Sequence, residues 1–295
     1  GTFNIKTGGL YMGINVDRPL FLIGAGRGQT ILKGLNEVVV LRIEAVAATT
    51  ATMAVKSMTF LNGGSYQLDI VKGSPTIENV EFLGKATVAS LISRDGHPVI
   101  KKCAFKADAE TGLFAATPGA PVIVTGCLFS MPAKTGLEFD AVDSGSVEKN
   151  TFNGNRVGIH IYAVETTYGT KTSASLISGN TFLKNTWGVA LEARFDGIDK
   201  CAIKGNTFKN NIRGVTGLGH EGGIEKSTVD SNRFISNNHG MIFSTTRMTV
   251  VNNLLTGHKE TNIASEGGVN TIAFNTIAGG KADGAMLTAY KSTGD

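Results

Sequence analysis

A large apolar residue recurs along this chain at a near-constant interval. The column runs Phe60, Phe82, Phe105, Phe129, Phe152, Phe182, Phe208, Phe234, Leu255 and Ile277, in steps of 22, 23, 24, 23, 30, 26, 26, 21 and 22 residues. A period of that size marks a solenoid, in which each repeat buries its apolar face against its neighbours. Two further columns align without adjustment. Five residues before each closing position stands an aliphatic: Val55, Ile77, Ile100, Val124, Val147, Ile177, Ile203, Val229, Val250 and Ile272. Two residues before it stand Met58, Val80, Cys103 and Cys127, and then Asn150, Asn180, Asn206, Asn232, Asn253 and Asn275.

After the closing residue comes a glycine and an alternating run. Examples are Gly136-Leu-Glu-Phe-Asp140, Gly158-Ile-His-Ile-Tyr162, Gly188-Val-Ala-Leu-Glu192 and Gly240-Met-Ile-Phe-Ser244. Period-two alternation predicts a strand with one buried face. Each repeat therefore holds at least two short strands and Gly- or Asn-rich turns, without helical periodicity. The Leu-x-x-Leu-x-Leu pattern of leucine-rich repeats is absent, so stacked parallel coils are the expected solution. With strands about 4.8 Å apart, about eleven coils make a rod on the order of 50 Å long. The Asn column is expected to take the left-handed backbone of a tight turn and to bond the next coil through its amide. Both rod ends would expose unpaired strand edges. No capping helix is evident in the sequence, so flanking residues or an oligomer partner would have to cover them, and a homotrimer suits a rod of this kind.

Composition narrows the class. The 295 residues include 38 Gly, 6 Pro and 41% hydrophobic residues, with 18% charged. That balance is the inverse of a disordered chain, and glycine this frequent without a triplet period means turns. The formal charge of +4 is small and scattered, so no nucleic-acid surface is expected. No long apolar stretch suits a membrane span. The start at Gly1, already in strand-forming sequence, reads as a mature or trimmed form of one domain covering 1–295.

The Asn ladder, the internal Phe stack and the period resemble the right-handed parallel β-helix, or pectin-lyase-like, superfamily. The segment Pro19-Leu-Phe-Leu-Ile-Gly-Ala-Gly-Arg-Gly-Gln-Thr-Ile-Leu32 is similar to the first coil of many such proteins. The resemblance covers nearly the whole chain and implies an all-β, single-stranded right-handed parallel β-helix of about ten to eleven coils. It does not select an activity. The paired-Asp pattern of polygalacturonases is missing, as are the Gly-Asp-x-Asp-Phe-x-x-Gly pattern of pectin methylesterases, the Trp-x-Asp-His motif of pectate lyases and the Asp-Pro-His-Asp motif of alginate epimerases.

Two local motifs have plain readings. Gly24-Ala-Gly-Arg-Gly28 looks like a phosphate-cradling loop, but strand-like sequence follows it where a helix is required, so it is read as a turn. Cys103 and Cys127 share a column in successive coils; free buried thiols acting as small hydrophobes are favoured over a disulfide. Three Cys without a His cluster argue against zinc.

The candidate chemistry lies on the outward positions of the alternating strand. With Leu137 and Phe139 inward, Glu138 and Asp140 point out. One rung on are His160 and Tyr162; the next carries Ala190 and Glu192, with Arg194 beyond; His220 and Glu221 close the following strand. The flanking outward positions, Phe114 and Ala116 on one side and Ile242 and Ser244 on the other, carry no charge. The longest coil adds a loop at 163–175 beside this patch, and loops over rigid scaffolds often carry function. Proton abstraction beside a uronate carboxylate needs a base, His160 or Tyr162, and a cation such as Arg194. Glu138, Asp140 and Glu192 would suit calcium. Glu138, His220 and Glu221 are assigned to substrate binding. Asp140 and Glu192, about 9.6 Å apart by rung spacing, also approach the separation of an inverting glycosidase.

Two readings follow. The first is an enzyme of acidic polysaccharide, a lyase or epimerase with a hydrolase close behind. The alternative is a non-catalytic rod, such as a phage tail-spike segment, an adhesin or a sugar-binding surface protein. Either belongs outside the cell, in the periplasm or on a virion, where polymers are met.

Overall fold

The computed structural model describes residues 2–5, 12–34, 39–44, 53–117, 121–140, 142–163, 172–173, 175–194, 197–220, 223–280 and 287–290. Among them all regular structure is β-strand, and the strands join one continuous sheet that winds through about ten turns. One coil shows the plan. Strands Leu176–Ser178, Thr181–Leu183 and Trp187–Ala193 form its three faces, each hydrogen-bonded to the coil before and the coil after. Register is set by the apolar columns: Val147 pairs Ile177 and then Ile203, and Phe152 pairs Phe182 and then Phe208. On the third face Ile159 pairs Val189 and then Val215. A slip of one residue would turn each inward side chain out, so these columns hold the register.

The axis is filled by phenylalanine. From Phe60 to Phe234 successive rings stack with centroids 4.5–5.4 Å apart and planes within 16°. The glycine near the start of six successive third-face strands, Gly112, Gly136, Gly158, Gly188, Gly214 and Gly240, is required by this close stacking. A Cβ on Gly188 would lie 2.5 Å from the carbonyl oxygen of Gly214 and 2.7 Å from the Phe208 ring.

The Asn column is a satisfied ladder. Asn150 donates from its backbone N–H (2.8 Å) and from Nδ2 (3.0 Å) to Oδ1 of Asn180. The same two bonds repeat from Asn180 to Asn206, Asn206 to Asn232 and Asn232 to Asn253. Each Nδ2 also donates to a carbonyl of a preceding coil, as Asn206 does to Ile177 (2.9 Å). The backbone expectation is corrected. The left-handed residue is the one before the ladder Asn: Lys149 (φ 55°), Gly179 (61°), Gly205 (64°), Ser231 (57°) and Asn252 (57°). That residue turns the corner, and the Asn, back in ordinary conformation, points inward to seal it.

A second ladder closes the opposite end of the Phe strand and was not anticipated. Asn155, Asn185, Asn211 and Asn237 repeat the same paired bonds and end on His258, whose Nδ1 accepts the Asn237 N–H at 3.2 Å.

Other expectations resolve simply. Gly24–Gly28 is a turn, with the amides of Gln29 and Thr30 donating to the Gly26 carbonyl. The coil containing it is not the first, because Thr2–Ile5 pairs in parallel with Ile31–Gly34. Cys103, Cys127 and Cys201 are free and buried. Among the described residues no helix is long and apolar enough to cross a membrane.

Candidate active site

On the third face, inward and outward positions alternate as the pattern requires. Ile159 and Ile161 are fully buried, while the His160 side chain between them keeps 16% of its surface and faces out. Strand pairing places Glu138 beside His160 and Asp140 beside Tyr162, with Ala190 and Glu192 on the next rung. The predicted patch therefore assembles from three adjacent strands, Thr135–Asp140, Val157–Ala163 and Trp187–Ala193.

His160 is its centre. Nδ1 lies 3.6 Å from Oε2 of Glu138 and Nε2 lies 3.4 Å from Oε2 of Glu192, so a carboxylate stands on each side of the ring. The Tyr162 ring packs against it at a centroid distance of 5.1 Å. Arg194 closes the far side: its Nε donates to Oε1 of Glu192 at 2.8 Å, and its guanidinium lies 5.4 Å from the Tyr162 centroid. Burial pushes the Tyr162 phenol up, and the carboxylates of Glu192, Asp140 and Glu138 act in the same direction against the pull of Arg194. Tyr162 therefore keeps its proton at neutral pH. The Glu192 carboxylate holds Arg194 more firmly cationic.

The geometry defines what the group can offer chemically. It sets an imidazole between two carboxylates and beside a phenol that retains its proton and can donate a hydrogen bond. Calcium fits less well. Glu192 gives one oxygen to Arg194 and turns the other to His160, and Glu138 also faces the ring, so these carboxylates do not converge on a common point. Among the described residues no group of three His, Cys, Asp or Glu side chains is arranged to hold a metal.

His220 sits one rung beyond Arg194, its amide bonded to the Ala193 carbonyl, and lines a separate hollow with Glu225 and Arg247. Glu221 lies outside the described residues, as does most of the 163–175 loop.

Sequence reading missed a second polar group on the same face. The outward column that carries Glu138 and His160 passes back through Phe114 and Ile92 to Asp69 and Arg42. There the buried Asp69 lies 3.4 Å from Arg94 and 4.0 Å from Arg42, and Arg94 lies 5.3 Å from the Tyr66 centroid. Burial pushes the Asp69 carboxyl up against the pull of Arg94 and Arg42. Extending the alternation of the later coils to Leu68 and Leu91 would have exposed the shared column.

Comparison with known proteins gives the fold a context. The family described as "Right handed beta helix region" matches residues 44–168, and that described as "Periplasmic copper-binding protein (NosD)" matches residues 123–222. No curated protein matches the sequence significantly. Among solved structures, the A-module of the Azotobacter vinelandii mannuronan C-5 epimerase AlgE4 superposes with a TM-score of 0.60 at 14% identity, over 98% of this chain and 89% of that one. The AlgE6 A-module of the same organism gives 0.50 at 14%, over 100% and 90%. A GH87 α-1,3-glucanase catalytic domain gives 0.55 at 14% over 100% of this chain, which spans 63% of that domain. At these identities the likeness concerns fold.

Proposed function

We propose that this chain, a right-handed parallel β-helix of the pectin-lyase-like superfamily, is an enzyme that removes the C5 proton of a uronate unit in an acidic polysaccharide. The observation that carries the reading is His160 held between Glu138 and Glu192 beside a phenol and a guanidinium, on one exposed face of three rungs. His160 takes the proton α to the carboxylate. Arg194, bonded to Glu192 through Nε, turns its outer nitrogens to the substrate carboxylate, where charge builds as the C–H bond breaks. Tyr162 then supplies a proton. Delivered to the glycosidic oxygen as the C4–O bond breaks, it completes elimination and leaves a C4–C5 double bond. Delivered to the opposite face of C5, it completes epimerisation.

One observation favours a second reading. Three carboxylates, Glu138, Asp140 and Glu192, outnumber the cation Arg194, a balance suited to a neutral glycan cut by an acid and a base. Asp140 and Glu192 share a column two rungs apart, about 9.6 Å, near the range of inverting hydrolases. The copper named for the second family match is not part of either reading. An extracellular, periplasmic or virion-surface setting goes with both.

The test is a screen of alginate, pectate, glycosaminoglycans and neutral glycans, with and without calcium, reading ultraviolet absorbance, reducing ends and epimer ratio. Unsaturated ends or altered epimer ratio support C5 chemistry; reducing ends alone support hydrolysis. His160→Gln, Tyr162→Phe and Arg194→Gln should each lower turnover by about a hundredfold or more. Turnover of none of these polymers by the folded protein would leave the non-catalytic rod.

A further inference from the structure

The second polar group and the His160 group are built alike. In each, an arginine is held by a carboxylate and stacked on a tyrosine: Arg94 with Asp69 and Tyr66 at 5.3 Å, Arg194 with Glu192 and Tyr162 at 5.4 Å. Both guanidiniums reach solvent, with 46% and 53% of their side-chain surface exposed. A guanidinium fixed in this way loses little freedom when it meets another carboxylate, and its fork suits that partner.

Between the two arginines the outward face changes character. Beside Arg94 lies an open hollow of about 500 Å³ lined by Tyr66, Ile92, Arg94, Phe114 and Ala116 among others. Phe114 is half-buried, directly next to Glu138 in the strand register, and so two rungs from His160. A phenylalanine on the outside of a β-helix gains nothing from the axial stack. A flat apolar ring beside a fixed guanidinium does match a pyranose carrying a carboxylate, which has an apolar face and one charged edge. The two arginines lie four rungs apart, about 19 Å along the rod. That distance admits several sugar units end to end.

We propose that the hollow of Tyr66, Ile92, Arg94 and Phe114 is a subsite for a second uronate unit of the same polysaccharide, so that one chain lies along the face from Arg94 to Arg194. The proposal rests on the acidic-polysaccharide reading above. It also gives the apolar interruption a purpose: Phe114 and Ile92 form the floor on which the chain lies between its two charged anchors.

The test is calorimetric binding of uronate oligomers from dimer to octamer to the His160→Gln protein, with Phe114→Ala and Arg94→Gln added singly. Affinity should climb with length beyond the dimer, and each added substitution should remove about five- to tenfold from long oligomers while leaving the dimer unchanged. Carboxyl-reduced oligomers should feel Phe114→Ala and be indifferent to Arg94→Gln. Phe114→Leu, which keeps apolar bulk without the flat face, should behave like Phe114→Ala and guards against a folding artefact. Equal binding by all variants, or losses that ignore length, would overturn the subsite, as would absence of binding by every oligomer. Turnover by the wild-type protein without length dependence sinks the subsite alone. Length-dependent binding through Phe114 and Arg94 with no turnover sinks the catalytic reading alone.

Discussion

Strand Val157–Ala163 turns Ile159 and Ile161 to the axis and His160 and Tyr162 to the outside. One coil on, the inner pair becomes Val189 and Leu191, and the coil after keeps Val215. The outer pair becomes Ala190 and Glu192, then Thr216 and Leu218. The inner side is conserved in kind from rung to rung because every coil must pack on the next. The outer side has no such neighbour to satisfy, so its residues are at liberty to differ. Where they form a charged, interlocked group over three adjacent rungs, packing on the next coil supplies no reason for it.

That contrast can be tested by removing side chains from each side. The largest loss of stability should come from Phe182→Ala, which opens a cavity in the middle of the stack: about 3–5 kcal/mol, read by urea unfolding. Next is Asn206→Ala. It takes the acceptor from the Asn180 N–H and from one proton of the Asn180 Nδ2, which keeps the Val147 carbonyl. It also removes the Nδ2 donor to the Ile177 carbonyl and to Oδ1 of Asn232, which keeps the backbone N–H of residue 206. Leaving the buried Asn180 N–H unpaired and weakening the ladder on both sides should cost about 2–4 kcal/mol, again by urea midpoint.

A smaller effect is expected at His258, where the second ladder ends. Burial pushes this imidazole below its usual value of 6.5. The unfolded chain then binds a proton near that pH which the folded chain refuses until lower pH. Stability contributed by neutral His258 is thus complete above pH 6.5 and is lost as pH falls from there through the folded value. His258→Asn should flatten that slope and add up to about 1 kcal/mol, since an amide oxygen can accept both the N–H and the Nδ2 of Asn237. A slope unchanged by the substitution would show that another group titrates. Smallest of all on stability is His160→Ala, at about 0.5 kcal/mol or less by thermal melting, because the ring fills no core space.

The same asymmetry explains what the sequence made legible. The period, the Phe column, the first Asn ladder and the outward register of Glu138, His160, Tyr162 and Glu192 all rest on repetition or alternation, which are visible without coordinates. The second ladder was equally periodic at Asn155, Asn185, Asn211 and Asn237, three residues after each Phe, and only the choice of column hid it. Arg194 bonding Glu192 and Arg94 reaching Asp69 depend on side-chain conformation, which no spacing encodes. His220 is a related case. Its position follows Arg194 in register, but the strand ends at Gly219 and its side chain lines a different hollow.

The most direct test of His160 as the base is the fate of the C5 hydrogen in heavy water. Lyase and epimerase chemistry share removal of that hydrogen, so proton NMR of uronate oligomers incubated with the protein in heavy water reads the common step whichever product follows. Wild-type protein is expected to erase the C5–H signal of the unit it converts, leaving deuterium at C5 after epimerisation or a C4–C5 double bond with no hydrogen at C5 after elimination. His160→Gln protein that melts at the same temperature is expected to leave that signal intact. Products whose converted unit keeps its original C5 hydrogen, or loss of that hydrogen in protein lacking His160, would contradict proton removal by His160.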